Sequence, residues 1–258
     1  MVVRIAVCVK QVVDPDTPAT AFVVDENAKR VTAPQGAAPV VNGFDLNAVE
    51  AALRIKESSE IEVQVTIISV GSSFVMDVIK KPLSMGADEL ILVEDQSLVD
   101  IDGVVSARVL AAALRLNGPY DLILCGRQAS DWDQSYVPMG IAEILKIACI
   151  SYARRIELMG ETVRIERTLI DGYQTVEAPT PTVVTVSNEL GEARYPTLRG
   201  IMSASRTAPA KLSLSELAIN PSELTPSLSL RHLFVPSRTK DCEMITGDDD
   251  EDAGRRLA

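Results

Sequence analysis

The chain has 258 residues and a formal net charge of −11, enough length for one large or two small domains. Hydrophobic residues make up 47% of it and aromatic residues only 4%, a Val/Ile/Leu/Ala-rich balance that suits parallel strands covered by helices. The acidic charge argues against nucleic acid or an anionic membrane surface as a partner. The four cysteines form no CxxC pair, which speaks against a zinc ribbon or an iron–sulfur cluster. A single histidine, His232, excludes a His-dependent triad and a multi-His metal site. No apolar run is long enough to span a bilayer and the start reads as strand, so a soluble, reduced, cytoplasmic protein without membrane insertion is expected.

Arg4 to Val13 (RIAVCVKQVV) is predicted as the first strand, stopped by Pro15 and Pro18. Residues 19–41 are irregular apart from a short hairpin around Asp25 to Ala28. Asp45 is predicted to cap a helix that aligns Leu46, Val49 and Leu53 on one face and pairs Glu50 with Arg54. A strand at Glu62 to Val70 leads into a helix over Phe74 to Met85, which Pro82 kinks or shortens. Glu89 to Val93 is the next strand. A helix over Val104 to Leu116 is closed by Asn117, Gly118 and Pro119.

The unit from Asp121 to Ile147 is the functional centre of the reading. Leu122 to Cys125 is a buried strand ended by Gly126, a polar loop runs from Arg127 to Asp133, and Val137, Ile141, Ile144 and Leu145 then recur at helical spacing. In open α/β sheets ligands bind beyond the carboxyl ends of strands, where helix N-termini offer unpaired N–H groups. A plain βα connection is the alternative, since fold does not fix function.

Residues 1 to about 150 alternate strand and helix, which gives an α/β, doubly wound, mostly parallel sheet of Rossmann-like type. Short alternating strands at Cys149–Met159, Glu161–Thr168 and Tyr173–Glu177 form an antiparallel extension, and Pro181 to Val186 returns to the main sheet. The nucleotide-binding domain is drawn over residues 1–202. Beyond it the chain turns Pro- and Ser-rich, and residues 203–258 are read as an extended arm without its own core, lying on a partner subunit through Leu228, Leu230, Leu233, Phe234 and Val235. Thr246 and the acidic run after it have helix-start chemistry.

No catalytic machinery is evident: there is no GxxxxGK[ST], no GxGxxG after the first strand and no GxSxG. Asp131 and Asp133 are paired carboxylates suited to loop capping or to acid–base work. Trp132 and Tyr136 suit stacking on a base or flavin, and equally suit core or interface packing. Asp248 to Asp252 suit a solvated helix start or a cation site.

Several stretches together resemble the beta subunit of electron transfer flavoprotein: VCVKQVVD near the start, NGFDLNAVEAALRIKE at 42–57, MGADELILV at 85–93, DLILCGRQASD at 121–131 and NELGEARYPTLRGIM at 188–202. The resemblance implies an electron-carrying subunit, possessing no catalytic residue of its own, in a heterodimer with an alpha subunit. That subunit would hold most of the site for a shared FAD, while AMP or a second FAD is buried in beta. Electrons would come from flavin dehydrogenases, acyl-CoA dehydrogenases among them, and pass to a quinone reductase or a soluble acceptor, by simple transfer or by bifurcation. The cofactor-binding positions implied are Cys8, Asn42, Gly43, Phe44, Asp45, Val70, Gly126, Arg127, Gln128, Asp131, Asp133, Gln134, Ser135, Tyr136 and Val137. Residues 191–200 match the family's recognition loop, with Leu198 as apolar anchor and Tyr195 and Arg199 beside it. Relatives carry Asn-Pro-Phe or Asn-Pro-Tyr where this chain has Asn42-Gly43-Phe44, and a Thr, a Gln and a Gly where it has Gln134, Tyr136 and Pro138. A Lys-rich stretch after Ile201-Met202 is replaced by Ser203-Ala204-Ser205-Arg206. The changes at Gln134, Tyr136 and Pro138 leave the nucleotide site either altered or lost, and the replaced Lys-rich stretch alters the docking charge. A stand-alone adenine-nucleotide module or hydrolase on a similar core is the alternative function.

Overall fold

The computed structural model describes residues 2–34, 36–236 and 242–257. Strand β1 (Val3–Cys8) sends Val3, Ile5 and Val7 into one core cluster and Ala6 and Cys8 into another, the two-residue period of a strand covered on both faces. The strand predicted to run to Val13 is instead broken. The N–H of Lys10 goes to the Asp45 carboxylate, and β2 (Gln11–Val13) turns away to pair antiparallel with β5 (Pro39–Val41). Between them β3 (Val23–Asp25) and β4 (Arg30–Thr32) form the expected hairpin.

Helix α1 (Gly43–Ser58) begins two residues before the predicted cap, with Asn42 at the N-cap position. Its Glu50–Arg54 pair closes at 2.9 Å. After β6 (Val63–Gly71) the chain makes two short helices, α2 (Met76–Ile79) and α3 (Lys81–Met85), where one shortened helix was expected. Pro82 lies in the first turn of α3, where a missing N–H costs nothing. Then follow β7 (Glu89–Glu94), α4 (Gly103–Asn117), β8 (Leu122–Gly126) and α5 (Tyr136–Leu145). β9 (Ala148–Met159), β10 (Thr162–Leu169) and β11 (Gly172–Pro179) make the antiparallel extension, and β12 (Thr182–Val186) returns between β9 and β8.

Among the described residues the sheet has nine strands, in the order β11-β10-β9-β12-β8-β1-β6-β7 and then β13 (Ala210–Leu212), and it is parallel from β9 to β13. Helix α1 packs on one face, burying Ala48, Val49, Ala52 and Leu53. On the other, α4 and α5 bury Val105, Val109, Leu110 and Ile141. A β-carbon on Gly140 would sit 2.8 Å from that of Ala107, so α5 lies against α4 at a distance only glycine permits.

Strand β13 carries part of the segment past 202, read as an arm without its own core lying on a partner, onto this chain's own sheet. It pairs with β7 and covers what would be a bare sheet edge, and Leu217, Ile219 and Leu224 bury their side chains in the same cluster as α4. Three paired residues among prolines and serines carry no readable period, so sequence alone gives no sign of them. The packed core therefore runs to Leu224. Beyond it Leu228, Phe234 and Val235 are exposed. Residues 237–241 of the arm lie outside the described residues. Helix α7 (Asp250–Leu257) has the expected acidic first turn and basic last turn, but Asp249, which accepts the Asp252 N–H at 2.8 Å, stands at its start in place of Thr246.

The arm leaves the core at a clasp on α4, and farther along Lys29 donates to the Leu230 carbonyl at 2.9 Å. Asp102, the N-cap of α4, accepts the N–H of Val105 at 2.9 Å through one oxygen and those of Ser227 and Leu228 at 2.6 and 2.8 Å through the other. These backbone donors outweigh partial burial and hold its carboxyl below the ordinary carboxylate range. Asp102→Ala is expected to cost about 1 kcal/mol through loss of the cap and to release the arm, so limited proteolysis between Thr225 and Pro236 should speed up. Unchanged cleavage would contradict the clasp.

Candidate functional site

The site forms where β1 and β8 end side by side, Cys8 opposite Cys125. Both thiols lie in the core beneath it, and hydrogen bonding with Cys8 together with burial pushes the Cys125 thiol well up. Both cysteines are buried, as their apolar surroundings predict. Above them Asp45, at the start of α1, accepts the N–H of Lys10 at 2.7 Å and the N–H of Gly126 at 3.2 Å. One buried carboxylate thereby ties the exits of β1 and β8 to the N-terminus of α1. Burial outweighs these bonds and raises its pKa to about 7. Asp45 was expected to cap the helix; its oxygens instead face the two strand ends.

Asn42 grips the loop after β8 from both sides. Its amide donates to the Gln128 carbonyl at 2.8 Å, and its oxygen accepts the Ser130 N–H at 3.2 Å. The loop is braced further by Lys10 with Asp131 at 2.6 Å and by Gln128 with Asp133 at 2.7 Å. Both loop carboxylates are therefore spent on bracing. The Arg127 guanidinium stacks on the Phe44 ring, 4.6 Å from its centroid. Asn42, Phe44, Asp45, Gly126, Arg127, Gln128, Asp131 and Asp133 are thus joined by direct contacts, with Gly43 between them. Gln134, Tyr136 and Val137 lie farther along, against Gly103 at the start of α4, with Ser135 at the head of α5. Val70 is half-buried near the end of β6 and packs on the core. Trp132 and Tyr136 are 56% and 46% exposed, which removes the core-packing alternative for both.

Side-chain caps are present at some helix starts and missing at others, the short α2 and α3 included. Helices α4 and α6 (Leu198–Arg206) are capped by the side chains of Asp102 and Thr197. Neither Asn42 nor Ser135 caps its own helix. Among the described residues no acceptor meets the N–H groups of Gly43, Phe44, Tyr136 or Val137. A β-carbon on Gly43 would meet nothing within 4 Å, so the start of α1 faces open space. Arg127 Nε and Ser130 Oγ are buried without a partner. The uncapped start of α1, with orphaned donors in the loop it grips, has the chemistry of an anion seat. Pro138 removes one donor from the first turn of α5, and the donors at α1 and in the loop still fit a phosphate group.

A second surface lies at α6. Tyr195 and Leu198 are 88% and 75% exposed, and Ile201, Met202 and Arg199 stand beside them. A cavity of about 380 Å³ runs between α6, α3 and β5. A β-carbon on Gly200 would sit 2.2 Å from the Ser84 carbonyl oxygen, which is why α6 rests flush on α3.

The Electron transfer flavoprotein domain model matches residues 29–217. The chain belongs to the electron transfer flavoprotein family, on its beta-subunit side. It is 34% identical over 258 residues to Electron transfer flavoprotein subunit beta of Megasphaera elsdenii, covering 96% of this chain and 93% of the relative. It is 36% identical over 222 residues to the subunit of that name from Thermoanaerobacterium thermosaccharolyticum, covering 86% and 82%. It is 31% identical over 254 residues to Caffeyl-CoA reductase-Etf complex subunit CarD of Acetobacterium woodii, covering 95% and 92%. No helix among the described residues is long and apolar enough to cross a membrane, and no group of three or more His, Cys, Asp or Glu among them is placed to hold a metal ion.

In this electron transfer flavoprotein chain, reading the sequence missed Lys10, because the first strand was predicted to run through it to Val13, whereas β1 ends at Cys8 and leaves Lys10 to meet Asp131.

Proposed function

We propose that this chain is the nucleotide-holding beta subunit of a cytoplasmic heterodimer that carries electrons from a flavin dehydrogenase, such as one acting on acyl-CoA, to a quinone reductase or a soluble acceptor. The observation that carries the reading is the uncapped start of α1 and, beside it, the braced loop with its buried, orphaned donors. They support an adenosine phosphate, AMP or the ADP half of a second FAD, held by the N–H groups of Gly43 and Phe44, the Ser130 hydroxyl and Arg127. A flavin shared with the alpha subunit supplies the redox chemistry when bound. The chain's own residues place it: Asp45 and Asn42 fix the geometry, and the Phe44–Arg127 stack presents a flat face. The exposed Tyr195, Leu198 and Arg199 support docking of the dehydrogenase.

Docking is tested by Leu198→Ala in the co-expressed heterodimer. Truncating an apolar anchor costs about 1.4 kcal/mol or more, or roughly tenfold, so electron transfer from a reduced acyl-CoA dehydrogenase should slow by that factor with flavin content unchanged. A variant transferring at full rate sinks the docking assignment.

A further inference from the structure

Helix α1 does more than open the nucleotide site. Its outer stripe, Asn47, Glu50, Arg54 and Glu57, is spaced three or four residues apart on one face and grips the segment that leads to α6. Asn47 donates to the Gly191 carbonyl at 2.7 Å and Arg54 to the Leu190 carbonyl at 2.8 Å. Arg194 folds back onto the stripe. Its Nε meets Glu50 Oε2 at 2.7 Å, its Nη2 meets Glu57 Oε2 at 2.9 Å, and its backbone N–H reaches Glu50 at 3.2 Å. Glu50 is only 5% exposed and also holds Arg54. A buried carboxylate satisfied by two guanidiniums and an amide has one arrangement, because any other leaves charge unpaired away from water. Tyr195 and Leu198 follow Arg194 by one and four positions, and beside Arg194 only Ala193 of the described segment between Gly191 and Thr197 is packed on the core cluster.

We infer that Glu50, acting through Arg194, is a positioning residue that locks the docking segment to the same helix whose first turn faces the nucleotide site. Helix α1 is then a strut between the two surfaces. A rigid strut holds the docking segment in its binding arrangement before the partner arrives. Unlocking the segment lowers the fraction of molecules ready to dock, and apparent affinity falls by that fraction. Once docked, the geometry is unchanged. The inference rests on the docking role proposed for Leu198.

The test uses the co-expressed heterodimer with a reduced acyl-CoA dehydrogenase as electron donor, and compares Glu50→Gln, Arg194→Gln, the double variant and Leu198→Ala. Glu50→Gln is expected to raise KM for the dehydrogenase roughly tenfold, with kcat within about twofold and flavin content unchanged. Hydrogen exchange over residues 191–197 should quicken in the same variant. The KM effects of Glu50→Gln and Arg194→Gln should be strongly non-additive, because the two act as one contact. A Leu198→Ala variant with raised KM beside a Glu50→Gln variant with unchanged KM and exchange overturns the positioning role and leaves docking intact. An unchanged KM in Leu198→Ala overturns docking itself. Loss of flavin from Glu50→Gln without a KM change makes Glu50 a folding residue only and equally overturns the inference.

Discussion

Gly126→Ala is expected to empty the nucleotide site and to cost about 2 to 6 kcal/mol of stability. A β-carbon there would sit 2.3 Å from Asp45 Oδ1, 2.7 Å from the Phe44 carbonyl carbon and 2.8 Å from the Asp45 nitrogen. None of these is the free end of a flexible side chain: two are backbone atoms of the first turn of α1 and the third is a pinned carboxylate. The first turn of α1 must therefore retreat. Overpacking of this kind costs about 1–3 kcal/mol. The retreat also breaks the Gly126–Asp45 bond, and a buried N–H left unpaired adds about 1–3 kcal/mol. The displaced turn carries the N–H groups of Gly43 and Phe44, so the nucleotide should leave with it. Denaturant midpoints and chromatography of nucleotide released from the purified heterodimer measure both effects. A variant with the parent's midpoint and full nucleotide content would contradict the close approach of β8 and α1.

Asp45→Ala is expected to cost about 2 to 5 kcal/mol, because the N–H groups of Lys10 and Gly126 both lose their acceptor at a site closed to water. The penalty should depend on pH in a definite direction. Burial raises the carboxyl from 3.8 in its ordinary setting to about 7 in the folded chain, so between those values the folded state holds a proton that the unfolded state releases. The stability tied to that proton is fully present below about pH 3.8 and is lost as pH rises through about 7. The difference in melting temperature between parent and variant should accordingly be larger at pH 5 than at pH 8. A difference that is flat or grows toward pH 8 would show that the carboxyl is ionised throughout and that the two amides outweigh burial.

Much of the framework was legible because it rests on periods. The apolar runs at Val63–Gly71 and Leu122–Gly126, and the helical stripe after Gly103, are local patterns that need no knowledge of neighbours. The strand broken after Cys8 was not legible, because the decision is made by Asp45, thirty-five positions away from Lys10. β13 was missed for a related reason: a bare sheet edge recruits whatever short segment passes it. At the site, the loop from Gly126 to Asp133 stood out by its place after a strand, and the motif resemblance named most of the residues that Asn42 and Asp45 gather. The roles of Asp131 and Asp133 were not readable, since a carboxylate pair looks the same whether it braces a loop or moves protons. Glu50 read as half of an ordinary helical pair. Its second partner, Arg194, lies 144 residues away.

The central claim is that this chain holds an adenosine phosphate at the start of α1 and the loop after β8 while sharing a flavin with an alpha subunit. The most direct test is the flavin and nucleotide content of the heterodimer purified after co-expression with its alpha-type partner. The account predicts one shared FAD and one further adenine nucleotide per heterodimer, AMP for simple transfer or a second FAD for bifurcation, and both should be lost in Gly126→Ala to the extent that this chain holds them. A stable monomer with neither flavin nor adenine nucleotide, or a heterodimer with one FAD and no other nucleotide, would contradict it.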